Sequence, residues 1–473
     1  MARVLLPLVL LALLGIAPRP HIVTRALWSA NLAIRQDVSP QFAARSARAL
    51  AQAAEQIPWR SDLWEPAGRL ALQGKEPLAA ITYFERAASQ NALSLDGQIT
   101  LGDSYAETGD RAAAIDAWES ALSSGSPSTE VLTRLLDAHL SLGDYPAAVA
   151  DLQGLTALHP ADADLRFQLG LLLSALQPEA ALAHLAQAAE LDSELDAKAQ
   201  KLIASIRTGS LAGDPAQTLF EAGRALGSIG EWEPAAQAFR QATIVRPDFA
   251  DAWAFWGEAR QQLQDDFISQ PVPEELERAL ELDPSSLSAN VLMALYYQRR
   301  ARFDQALEYL RKATELYPQN PALYVELGEV LALSGDLEAA LQAYQKTVEL
   351  APNDPAYYRL LAGFSARYEY QVGAVGLSAA RRAVLLDPAN PDSLDSMGQV
   401  LFLLGDLTSA ERFFLRALDA DPNHAPAHLH LGLAYMLQGE RDRAYQEWKL
   451  VTSLASGTPA AEQAERLVRN YFP

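Results

Sequence analysis

Three histidines stand close together at His424, His428 and His430, in the stretch HAPAHLH, and form the most metal-like grouping in the chain. His424 and His428 are four residues apart, the spacing that puts two imidazoles on one helical face, but Pro426 lies between them at a helix start. His428 and His430 are two apart and point to different faces. The cluster therefore reads as packed or solvated histidines, and no metal or other cofactor is expected. A second grouping, Trp253, Phe255 and Trp256, concentrates aromatic surface suited either to core packing or to holding a ligand side chain. Signatures of catalysis were sought in turn. The chain carries no phosphate-cradling Gly-Lys-Ser/Thr loop, no Gly-x-Ser-x-Gly elbow and no His-Glu-x-x-His pair. It contains 0 cysteines, which excludes disulfides, thiolate zinc sites, a cysteine nucleophile and a lipoprotein anchor. No catalytic residue is expected.

The 473 residues carry a net charge of -21, with 49% apolar and 21% charged residues, the balance of a folded body. Nucleic-acid affinity rests on Lys and Arg neutralising phosphates, so an acidic chain of this kind is not expected to bind RNA or DNA. Residues 61–164 are the most acidic stretch, with 16 acidic against 5 basic residues.

The elements that position these groups follow from helical periodicity. Pro391 to His424 reads as two amphipathic helices joined by Gly405-Asp406 and closed by Asp421-Pro422-Asn423. Numbered from Pro391, this unit of 34 residues has a small residue at places 8 and 20 (Gly398, Ala410), where two helices can approach closely. Gly405 at place 15 accepts a left-handed backbone, and Pro422 at place 32 cannot continue the second helix. Met397, Leu401 and Phe414, at places 7, 11 and 24, fill the seam. Twelve such units begin at Leu27, Ser61, Leu95, Thr129, Ala163, Ala216, Ala250, Leu287, Pro321, Pro355, Pro391 and Ala425. One hairpin cannot bury its own apolar stripe, so each needs a neighbour.

This pattern resembles the tetratricopeptide repeat family over about Leu27 to Thr458. The resemblance implies an all-α, right-handed solenoid of about twelve helical hairpins, ended here by a capping helix at 459–473. It also implies a concave groove lined by first helices at places 2, 5, 9, 12 and 13. In the early repeats those places hold Asp62, Glu65, Asp96, Asp103, Glu107, Glu130, Asp137 and Asp164. In the last two they hold Phe402, Leu403, Leu429, Leu433, Met436 and Leu437, while Phe255 at place 6 faces the groove by the same geometry. A groove running from an acidic mouth to an apolar end would suit a basic or amphipathic segment. The alternative is that the carboxylates solvate an exposed face and the apolar residues meet the cap. The Lys/Asn carboxylate clamp of chaperone-tail binders is absent: places 5 and 9 read Glu65/Arg69 and Ile99/Asp103.

The expected organisation is a leader at 1–26, a first sub-array at 27–207 ending in an unpartnered helix (Leu195 to Arg207), a joint at 208–214 and a second sub-array at 215–458. Insertions are expected as a long turn at Asp265 to Pro273 and as two extra residues near Tyr368 to Gly373. Residues 4–17 form an uncharged run behind Arg3. At ~1.5 Å per residue the run is about 21 Å long, short of a ~30 Å bilayer core. It reads as a cleaved secretory signal, an uncleaved membrane anchor or an apolar capping helix. Export or anchoring in a bacterial cell envelope is expected over a cytoplasmic location. The functional expectation is a non-catalytic scaffold that binds proteins or peptides, with an accessory subunit of an envelope or polysaccharide enzyme as the alternative.

Overall fold

The computed structural model describes residues 20–35, 39–125, 128–263 and 271–472. Among them all regular structure is helical, and helices pair in sequence as antiparallel hairpins. The packing divides the chain into two compact units, Met1–Pro234 and Ala235–Pro473.

The hairpin that opens at Pro391 shows how sequence becomes structure. Asn390 accepts a hydrogen bond from the Ser393 amide and caps the helix Pro391–Leu403, whose first residue is a proline that has no amide to leave unsatisfied. The chain reverses at Gly405 with φ +83°, and Asp406 caps the helix Leu407–Ala420 through the Ser409 amide. Met397, Leu401, Ala410 and Phe414 are all buried in the seam. The contact at place 8 is the tightest: a Cβ built on Gly398 would lie 2.5 Å from the Phe414 ring. The same geometry recurs at Gly68, where the Phe84 ring would be 2.7 Å away, at Gly170 against Leu185, and at Gly432 against the Trp448 ring. In these repeats a large side chain from the second helix thus sits on the bare backbone of the first.

Several expectations are corrected. The first described helix runs Pro20–Arg35, across the end of the expected 1–26 segment, and Ala26 and Ala30 are buried against Ala47 and Leu50. The apolar run 4–17 and most of the expected turn at 265–273 lie outside the described residues. The helix expected to lack a partner is longer, Ser193–Ser210, and packs against both Pro178–Leu191 and Pro215–Ser228. Its apolar stripe of Ala199, Leu202, Ile203 and Ile206 is buried, and a Cβ on Gly209 would come within 2.7 Å of the Thr218 backbone. Residues 208–210 belong to this helix, and Leu211–Gly213 form an exposed turn between it and Pro215–Ser228. The division between compact units falls instead within the helix Trp232–Val245.

The two extra residues of the repeat at Pro355 are absorbed rather than extruded. Glu369 and Gln371 take positive φ, and a short π-turn at Val372–Gly376 leads into the next helix. Tyr368 and Tyr370 fold back on Phe364, with ring centroids 5.5 and 6.3 Å away. The Tyr370 hydroxyl donates to Glu338 of the preceding repeat at 2.7 Å.

Gly398→Ala should destabilise the fold by about 2 kcal/mol, because the Phe414 ring must move off the backbone. Gly363 is the control: it lies in the helix Pro355–Arg367 with nothing within 4 Å of an added Cβ. Gly363→Ala should stabilise by ~0.5–1 kcal/mol through helix propensity. Urea midpoints of the two variants check the contrast, and a neutral Gly398→Ala would refute the packing argument.

Candidate functional site

The face built from first helices is where any groove would lie, and arginines occupy much of it. Glu65 accepts hydrogen bonds from the amide (2.8 Å) and hydroxyl (2.7 Å) of Ser94, the cap that leads into the next repeat, and pairs with Arg69 at 2.9 Å. Arg69 also reaches Asp96 in that next repeat. Burial works against ionisation of Glu65, but its Ser94 and Arg69 partners outweigh it and hold the carboxyl below its usual range. Asp103 accepts from Trp118 Nε1 (3.2 Å) and from Arg134 Nε of the following repeat (2.6 Å), and Glu130 meets Arg134 at 3.1 Å. Asp62 is held by Arg60 at 2.7 Å, a bond that lowers its pKa. The expected acidic mouth is thus largely stitched to arginines, since a carboxylate on one repeat faces a guanidinium on the next. Glu107 and Asp137 remain exposed and form no ion pair among the described residues.

The second unit repeats the device in a regular form. Glu258, at place 9 of its repeat, takes two bonds from Arg299 at place 13 of the next, at 3.0 and 2.6 Å. Glu329 and Arg367 stand at the same two places and meet at 3.0 Å. In these two pairs place 9 ties one repeat to the next, whereas Asp137 at the same place stays exposed. Sequence reasoning missed this ladder, although the spacing of 38 residues between Glu329 and Arg367 was there to be read.

The apolar end of the expected groove is corrected more sharply. Leu429 is buried, and Leu433 and Met436 pack with Trp448, Val451 and Ala464 against Leu467, Val468 and Phe472. The final helix Pro459–Tyr471 covers them, because the last repeat has no successor and its inter-repeat face must be closed. Phe402 packs against the core cluster that contains Leu401 and Tyr435. Phe255 stacks on Phe239, with centroids 5.5 Å apart, and joins the cluster around Ala254 and Leu276.

The three histidines part company. His424 Nε2 lies 3.0 Å from Asp392, His428 Nδ1 lies 2.5 Å from Glu447 with Nε2 on the Pro422 carbonyl at 2.9 Å, and His430 Nδ1 lies 2.9 Å from Asp395. Each ring is tied to a different carboxylate, and among the described residues no group of His, Cys, Asp or Glu is arranged to hold a metal. A further pair was not anticipated: His139 Nδ1 meets Asp151 at 2.6 Å, with both side chains buried between the two helices of one hairpin. Burial pushes the Asp151 carboxyl up, opposed by the bond from His139.

These features define a helical-hairpin repeat protein whose polar surface residues bind mainly to one another. The tetratricopeptide repeat family model matches residues 99–163, 291–355, 374–425 and 397–449, somewhat under half of the chain. Comparison with curated proteins finds no match. Among solved structures the chain is similar to yeast Tom70, at 16% identity over 87% of this chain and 95% of that one, with a TM-score of 0.44. It is also similar to a chain of the APC/C hetero-tetramer Cut9-Hcn1, at 13% identity over 96% and 98% with a TM-score of 0.41. Pseudomonas aeruginosa PilF aligns at 19% identity over 47% and 99%, with a TM-score of 0.35.

Burial disfavours the charged form of His428 and His430, but Glu447 and the Pro422 carbonyl on one, and Asp395 on the other, raise both above the ordinary histidine value. A raised folded-state pKa stabilises below the unfolded value of about 6.5 and loses that stabilisation as pH climbs through the folded value. The last two repeats should therefore weaken from pH 6 to 8 on the order of those histidines' titration. Glu447→Gln should reduce the effect, as read from NMR titration of the imidazoles beside urea midpoints at both ends of the range. An imidazole of His428 titrating below that of an unfolded peptide would contradict it.

Proposed function

We propose that this chain is a non-catalytic scaffold that binds protein or peptide segments through the first-helix face of its repeats. The observation that carries this reading is the division of labour in each hairpin. The small and aromatic places are spent inside the stack, as with Ala410 and Phe414 at 0% exposure. Solvent-facing polar residues differ from repeat to repeat, and the hollows on the surface are shallow and open. That is a surface for recognition rather than a chamber for chemistry. The tetratricopeptide matches support the same use, since stacked repeats present extended binding faces.

The partner segment is basic or amphipathic. Glu107 and Asp137, unpaired on the first unit, offer it negative charge, and a chain of net charge -21 steers cations toward itself. The same charge disfavours nucleic acid as a partner. Residues 4–17 direct export or hold the chain at a membrane of the cell envelope. Among the described residues no helix is long and apolar enough to cross a membrane, so attachment rests on that run.

Affinity capture with the full chain, followed by mass spectrometry, should yield a reproducible protein partner. Its affinity should fall several-fold between low and physiological salt, and fall again in Glu107→Gln/Asp137→Asn. A partner that binds equally well to this double variant would remove the electrostatic part of the reading. Turnover of a substrate by the purified chain would remove the whole. Cell fractionation with N-terminal sequencing tests the role of residues 4–17, expected in the membrane or exported fraction.

A further inference from the structure

The repeat that begins at Ala250 departs from the others in a way that leaves polar atoms without partners. Its second helix, Glu274–Leu282, has 9 residues, whereas second helices such as Leu337–Leu350 and Leu407–Ala420 have 14. The end of the first helix, Ala250–Gln262, is therefore met by the extended Pro271–Pro273 instead of a full helical turn. A hollow of about 230 Å³ lies there, lined by Arg260, Gln261, Glu274 and Glu275 beside that extended segment.

Gln261 is 3% exposed, and neither its amide nitrogen nor its amide oxygen has a hydrogen-bond partner. Glu275 is 5% exposed; one carboxylate oxygen pairs with Arg260, and the other has no partner. Leaving a buried amide unsatisfied costs on the order of 1–3 kcal/mol per group, so such atoms mark a place where something else supplies the bonds. The pattern required is specific: a donor and an acceptor for Gln261, as a peptide unit provides, and a donor for Glu275.

A second hollow, about 390 Å³, shares Glu274 and Glu275 with the first and is lined further by Trp253, Trp256, Glu277, Arg278 and Glu281. The two indoles stand with centroids 5.4 Å apart. Trp253 is fixed by donating to the Pro247 carbonyl at 2.9 Å. Arg278 is matched by Glu281 at 3.0 Å, while Glu274 and Glu277 form no ion pair among the described residues. Half-buried indole faces bordered by uncompensated carboxylates attract an organic cation, through the ring quadrupole and through charge together.

We infer that these two neighbouring hollows bind a peptide segment carrying a lysine or arginine, its cation beside Trp253, Trp256, Glu274 and Glu277, and a backbone amide on Gln261 and Glu275. This deepens the scaffold reading and rests on it, by naming one repeat as the contact and a basic side chain as what it selects. Acidic residues at a helix start also favour the helix itself through its dipole. That role accounts for Glu274 and Glu277 but not for the unpartnered amide of Gln261.

The test uses the full chain in mild detergent, with its 8 tryptophans labelled at the indole nitrogen. The Trp253 and Trp256 signals are assigned by Trp→Phe variants. Titration with acetyl-Gly-Lys-Gly-amide should move those two signals saturably in the millimolar range, and the norleucine analogue should not. Glu274→Gln/Glu277→Gln should weaken the lysine peptide by roughly tenfold, and Gln261→Ala should weaken a longer lysine-containing peptide while leaving the thermal midpoint within its error. Equal shifts with norleucine, no saturable shift, or unchanged affinity in the double variant would overturn the site. If the double variant still captures the same partner as the unaltered chain, the site fails while the scaffold reading stands. If the unaltered chain captures no partner, the scaffold reading fails as well.

Discussion

Everything in this molecule depends on a large side chain lying against bare backbone. Phe84, Phe414 and Trp448 each rest on a glycine one helix earlier, and no methyl group would fit between them. That contact sets the separation of the two helices in a hairpin. The separation in turn determines which residues of the hairpin's outer face meet the next repeat. A local steric fact, repeated, becomes an architecture, because each hairpin can bury its remaining apolar stripe only on a copy of itself.

The stacking also disposes of charge. A chain with so many carboxylates would repel itself if they stood alone. Instead, Asp103, Glu258 and Glu329 take donors from the repeat that follows. Exposed ion pairs contribute little individually, but bidentate pairs with a buried partner, such as Glu258 with Arg299, restrict rotation of one hairpin on the next. The groove is accordingly less acidic than its residue count implies. Glu107, Asp137, Glu274 and Glu277 are among the carboxylates that form no ion pair among the described residues.

The fold was legible because its determinants are periodic. Gly398, Gly405, Ala410 and Pro422 announce a close approach, a reversal, a second approach and a stop, and the same types return at the same spacing through most of the chain. The surface was much less legible. Whether Asp103 serves a ligand or Arg134 depends on the rotation between neighbouring repeats, and period alone does not carry that angle. Leu429 and Met436 were legible as apolar, but the pattern left open whether they line a groove or meet the capping helix, and their packing against Leu467 and Phe472 favours the second. The helix Ser193–Ser210 was misjudged for a related reason. Counting hairpins left it over, yet its stripe of Ala199, Leu202, Ile203 and Ile206 is as complete as that of any paired helix, and packing follows the stripe rather than the count.

Departures from the period consequently deserve a different physical question from the period itself. Two repeats have inserted residues, and the fold treats them in opposite ways. At Pro355–Asn390 the extra residues bring Tyr368 and Tyr370 onto Phe364, and the Tyr370 hydroxyl finds Glu338, so the insertion closes on its own neighbours. At Ala250–Ser286 the second helix is shortened, and the amide of Gln261 and one oxygen of Glu275 are left buried without bonds. Beside Gln261 the facing chain is the extended Pro271–Pro273, not a helical turn. Proline at 273 gives up an amide donor, and both prolines hold the backbone extended beside the hollow. Buried atoms without partners occur in other repeats as well, Asn290 Oδ1 and Ser365 Oγ among them, but at this one repeat the unmet bonding capacity faces a hollow. It is concentrated where two half-buried indoles and two free carboxylates already favour a cation, and that coincidence separates a recognition site from a mere irregularity in the stack.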